Sequence, residues 1–98
     1  MNPDLSKKKV SELINLMDNG TMLEKCVSIC EIVKRREKND LIKSHLRTLS
    51  SDDTSFWNEY KVSDFAKAAL TLFGEKVSDI TAEASRLIDN DFEFYKAS

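Results

Sequence analysis

Glycine, proline and cysteine are scarce in this chain of 98 residues, at 2, 1 and 2 copies. So few glycines leave no Gly-rich loop to cradle a phosphate. The cysteines, Cys26 and Cys30, are joined by a single histidine, His45, which is too little for a four-ligand zinc constellation. Their i, i+4 spacing brings two side chains near one another on a helix but does not suit the demanding geometry of a disulfide. Both lie on an apolar stripe and read as small core residues, as expected in a reducing cytoplasm. No apolar run approaches membrane-spanning length, and the start, Met1 to Lys9, has no apolar segment of the kind a secretory signal needs. The expectation is one cytoplasmic domain with a modest core, complete as it stands from Met1.

Charge of one sign is also lacking. The formal net charge is −2, too small to imply a nucleic-acid or acidic membrane partner. It is unevenly spread: residues 1–49 hold 10 Lys/Arg against 7 Asp/Glu, and residues 50–98 hold 5 against 10. An acidic second half suits a basic partner.

Helical periodicity fills most of what remains. Ser6 can cap a helix over about 7–18, with Val10, Leu13, Ile14 and Met17 on one face, and Asn19 and Gly20 stop it. Thr21 caps the next helix, with Glu24 three residues on as in a capping box. Met22, Cys26, Ile29, Cys30 and Val33 form its apolar face before the basic run from Lys34 to Lys38. Asn39 or Asp40 starts a third helix carrying Leu41, Ile42, Leu46 and Leu49. In the fourth, Val62, Phe65, Ala66, Ala69 and Phe73 form the stripe, with Lys61, Asp64, Lys67 and Thr71 off it. Gly74 ends it, but its start is open, near Asp53 or at Ser63. A fifth helix is expected over about 77–89, with Val77, Ile80, Ala84, Leu87 and Ile88 facing inward. No strand is expected.

No catalytic constellation is legible: no metal-spaced cluster and no nucleophile with an evident base. His45 sits where a packing or boundary side chain belongs. The basic residues Lys34, Arg35, Arg36, Lys38, Lys43 and Arg47 could touch phosphates, but Glu37 and Asp40 interrupt them and no aromatics interleave. The most informative cluster is Phe56, Trp57 and Tyr60, flanked by Asp52, Asp53, Glu59 and Asp64. Phe56 and Tyr60 at i, i+4 could seal the repeat stack; alternatively, since Trp and Tyr are frequent interface anchors, these residues read as a partner-binding edge. The tail, with Asp89, Asp91, Phe92, Glu93, Phe94 and Tyr95, offers a second. No catalytic residue, metal, cofactor, membrane or small-molecule substrate is expected.

The helices also repeat. Met22, Cys26, Ile29, Cys30 and Val33 match Val62, Ala66, Ala69, Leu70 and Phe73 at an offset of 40, and Val10, Leu13, Ile14 and Met17 match Ile42, His45, Leu46 and Leu49 at an offset of 32. A period near 40 with two helices per unit is the mark of an α-solenoid. Residues Val10 to Val33 resemble an armadillo-type helix pair joined by a short Gly-containing turn. Val62, Ala66, Ala69, Leu70 and Gly74 resemble the second helix of a HEAT repeat, which commonly reads Val, Ala, Ala-Leu, Gly. The longer link over 50–61 departs from a standard tight turn.

The resemblance implies an all-α fold: two HEAT/ARM-like antiparallel helix pairs, over 7–38 and 40–74, with a capping helix over 77–90. Small solenoids of this kind resemble adaptors and inhibitors. With the acidic second half, this implies a protein–protein interaction domain, best an immunity or inhibitor protein that neutralises a basic toxin domain. The alternatives are a helical adaptor resembling the N-terminal domain of elongation factor IIS and its integrase-binding relatives, and a nucleic-acid-binding helical domain.

Overall fold

Local capping sets most helix boundaries. The computed structural model describes residues 5–52, 55–57 and 60–92, and for 55–57 and 91 the backbone alone. Among these are α1 (Val10–Asn19), α2 (Met22–Arg35), α3 (Asp40–Leu49), α4 (Val62–Leu72) and α5 (Ala82–Arg86), the last continuing as a π-helical turn over Leu87–Asp91. Thr21 accepts the Glu24 N–H while the Glu24 carboxylate accepts the Thr21 N–H, a complete capping box. Asn39 caps α3 by accepting the Ile42 N–H at 2.9 Å. Between α1 and α2 the chain turns at Gly20, where an added Cβ would stand 2.5 Å from the Leu16 carbonyl oxygen. Only glycine fits there. Gly74, just past α4, has φ +86°, the left-handed conformation that L side chains resist.

α4 lies at the centre. It packs against α2, α3, α5 and the π-helical turn, while α1 packs against α2 and α3. Ala66, Ala68 and Ala69 of α4 are fully buried, and their short side chains allow close approach of neighbouring helices. Leu13 and Met17 of α1, Ile29, Ile32 and Val33 of α2, and Ile42 and Leu46 of α3 fill the space around them. The molecule measures 30 × 29 × 25 Å, with a radius of gyration of 12.0 Å, so it is compact rather than elongated.

Several expectations are corrected. The link between α3 and α4 carries an antiparallel ribbon, β1 (Ser55–Trp57) and β2 (Tyr60–Lys61), paired Ser55 to Lys61 and Trp57 to Tyr60. Two residues of β1 thus span one step of β2, which is a bulge. The ribbon settles the start of α4: it begins at Val62, where the Asp64 carboxylate accepts the Lys61 N–H. Asp64 is therefore buried at 2% exposure rather than lying on the polar face.

α1 begins at Val10, three positions later than expected, because Lys7, Lys8 and Lys9 precede it at the end of a helix where cations are disfavoured. α5 begins at Ala82, with Thr81 as its cap. Val77 packs on the core from outside any helix, and Ile80 is 41% exposed rather than inward. Leu41 likewise faces outward, at 59% exposure.

Candidate functional site

The residues expected to form a partner-binding face do not all reach the surface. Asp52 and Tyr60 are half-buried at the two ends of the hairpin. Phe56 and Trp57 lie on β1, with only their backbone described; Asp53, Glu59 and Glu93 lie outside the described residues, as do Phe94 and Tyr95, and the Asp91 side chain does too. Asp89 is exposed at the π-helical turn. Phe92 is buried at 1%, the largest fully buried side chain among the described residues, so it closes the core instead of meeting a partner. The reason is the π-helical turn: its wider winding ends with the Phe92 N–H donating to the Leu87 carbonyl at 2.8 Å, and the ring enters the core.

The hairpin is tied to three helices. The Lys25 ammonium of α2 meets the Asp52 carboxylate at 3.2 Å, with both side chains about one-fifth exposed. The Asp52 carbonyl accepts the Ser63 N–H of α4 at 2.9 Å. On the other strand, the Tyr60 ring stands 6.2 Å from Phe65 of α4, tilted by 58°. The Arg86 guanidinium of α5 lies 5.7 Å from the Tyr60 ring centroid, a cation–π distance. β1 itself rests against α2. Beneath this, the Asp64 carboxylate accepts the Thr81 hydroxyl at 2.7 Å as well as the Lys61 N–H, and Thr81 in turn accepts the Ala84 N–H at 3.0 Å. One buried carboxylate thus joins the start of α4 to the start of α5. No sequence pattern points to this pairing, since Asp64 and Thr81 are 17 positions apart.

A polar cleft of about 230 Å³ opens between the end of α3, α4 and the following loop, lined in part by Arg47, Ser50, Lys67, Glu75 and Asp79. Glu75 accepts from both Lys43 and Arg47, and these two cations hold its carboxyl below the ordinary glutamate range. Lys67 meets Asp79 at 3.2 Å. Arg47 and Lys67 of the cleft are therefore each matched by a carboxylate, as in a structural ion-pair network.

Residues that could carry chemistry are spoken for in other ways. His45 bonds through Nδ1 to Asp18 at 2.9 Å, linking α3 to α1 at the half-exposed boundary. Burial, with the neighbouring Cys30, pushes the Cys26 thiol up to about 12, so Cys26 is an inert thiol. Among the described residues no three His, Cys, Asp or Glu side chains converge as a metal site, and no helix is long and apolar enough to cross a membrane. The chain matches no family model, no curated protein and no solved structure with which it was compared.

Proposed function

We propose that the chain is a non-enzymatic protein-binding module built from two HEAT/armadillo-like helix pairs, α1 with α2 and α3 with α4, closed by α5. Helix contacts support the pairing: each pair packs internally, and the pairs stack α1 on α3 and α2 on α4. That is the neighbour pattern of stacked repeats.

The observation that carries the binding assignment is the hairpin. It replaces the tight turn of the second pair with a ribbon that is held against α2, α4 and α5. Its two strands pair only with each other among the described residues, leaving strand edges open. Trp57 and Phe56 lie on this supported strand. Asp53 and Glu59 flank it in sequence and add acidic charge suited to a basic protein, such as a toxin domain neutralised by an inhibitor. Asp64 supports the end of the ribbon from within, through the Lys61 N–H.

The test is affinity capture from the source organism's lysate, followed by binding measurements on the captured protein. Trp57→Ala should weaken binding by about 2 kcal/mol or more, as interface hot spots do, with little change in unfolding midpoint. Reversing Asp53 and Glu59 should slow association and flatten its salt dependence. Full affinity in Trp57→Ala, or a captured partner with an acidic contact surface, would sink the assignment.

A further inference from the structure

The fold brings together two basic segments that are far apart in the chain. Arg35, near the end of α2, donates to the backbone carbonyls of Leu5 at 3.2 Å and Ser6 at 2.9 Å, while its Nε meets Glu31 at 2.8 Å. Leu5 is buried beside it. Lys7, Lys8 and Lys9 follow this anchor along the chain, and Lys34, Arg36 and Lys38 flank Arg35 on the other side of it. Residues 5–12 and 31–38 together hold seven cations against three carboxylates, on a chain of net charge −2. Two of those carboxylates are engaged: Glu31 by Arg35, and Glu12 by Lys8 and the Lys9 N–H. Lys7, Lys9, Lys34 and Lys38 are exposed, with no ion pair among the described residues.

This arrangement runs against the local stability of the chain. Cations suit the end of α2 but not the start of α1, where the helix dipole is positive. Lys9 also occupies the cap position of α1 without a side-chain cap, where Ser, Thr, Asp or Asn is preferred. Positions that break local rules without structural gain are where function is expected.

We propose that this edge, formed by segments 7–9 and 34–38, contacts the phosphate backbone of double-stranded nucleic acid without reading its bases. Five of the seven cations are lysines, which are depleted at protein interfaces. They are long, mobile point charges spread over two segments, suited to a row of phosphates rather than one enclosed anion. The exposed large apolar side chains among the described residues, Leu41 and Ile80, lie outside both segments, so there is no apolar group within them to insert into a lipid surface. The surface is separate from the hairpin and stands or falls independently of the protein-binding role.

The test is fluorescence anisotropy with a labelled 20-base-pair duplex, using the full chain. If Lys7, Lys9, Lys34 and Lys38 each neutralise a phosphate, raising salt from 50 to 200 mM should weaken binding about 150-fold. Lys7→Gln with Lys9→Gln should reduce that factor to about 12-fold, and Lys34→Gln with Lys38→Gln should do the same. Lys61→Gln with Lys76→Gln should leave it unchanged. Far-ultraviolet circular dichroism checks that each variant is folded, and a second duplex of unrelated sequence should bind equally well. Absence of duplex binding at 50 mM salt overturns the proposal. So does loss confined to one lysine pair, or equal binding to poly-glutamate or to phosphatidylserine vesicles.

Discussion

Asp64→Ala removes the carboxylate that joins the starts of α4 and α5. In the folded protein that group is 2% exposed and accepts the Lys61 N–H at 2.9 Å and the Thr81 hydroxyl at 2.7 Å. Hydrogen bonds to a charged group contribute about 1.5–3 kcal/mol each, and a lost partner leaves the buried donor unsatisfied. The Lys61 N–H lies at a helix start, where water can partly replace the carboxylate, so its share falls at the low end. A total loss of about 3 kcal/mol is expected. Asp64→Asn keeps an acceptor and should lose about half of that. Thr81→Val removes both the donor to Asp64 and the cap on Ala84, at about 1–2 kcal/mol. Because the two residues share a bond, the double variant should fall short of the sum by about 1 kcal/mol. Urea unfolding followed by circular dichroism measures all four points of the cycle. Asp64→Ala within about 0.5 kcal/mol of the parent, the size of an ordinary surface change, would refute the role given to this carboxylate. Strict additivity would refute the link between α4 and α5.

Ser28 is fully buried in α2, and its hydroxyl has no hydrogen-bond partner among the described residues. Ser28→Ala should therefore stabilise the protein by about 1 kcal/mol, from relief of an unsatisfied group and better helix propensity; a lower denaturation midpoint would contradict this. Glu75 is held below its ordinary value of 4.5 by hydrogen bonds from Lys43 and Arg47. A carboxyl depressed on folding adds stability that is complete above its unfolded value and is lost as pH falls through the folded one. Glu75→Gln should thus lower the melting temperature at neutral pH, and the gap from the parent should close in acid; a gap independent of pH would count against the ion-pair account.

What the sequence made legible was local. The Thr21 and Glu24 box, the Asn39 cap and the stops at Gly20 and Gly74 depend on residues within one turn of each other, and all are present. The hairpin was not legible because strands of three and two residues are too short to show alternation. The contact that ties the start of this link to α2, Asp52 with Lys25, joins residues 27 positions apart. The shift of α5 has a similar cause. The apolar spacing from Val77 onward fits a helix, but Thr81 is held by Asp64, and the helix starts at that cap. At the candidate site, Asp64 looked like a rim charge because burial of a carboxylate is invisible until its donors are known. Phe92 looked like a tail aromatic because a π-helical turn, which changes the facing of every later side chain, has no periodic signature of its own.

These non-local ties also determine how the hairpin can act. Asp52 connects α2 to α4, Tyr60 lies between α4 and α5, and Asp64 fixes α4 against α5 directly below. The ribbon is therefore held against three helices at once. If the hairpin is the docking surface proposed above, a surface held in this way has little ordering left to do on binding, so less of the contact energy is spent on freezing it. The same connection makes Asp64 informative about function. Asp64→Asn leaves the hairpin residues unchanged but loosens their support. If the rigid base matters, this variant should release a hairpin-bound partner faster while associating at nearly the parental rate. If dissociation is unchanged in a folded Asp64→Asn protein, the hairpin carries its own order and the helices beneath it serve only stability.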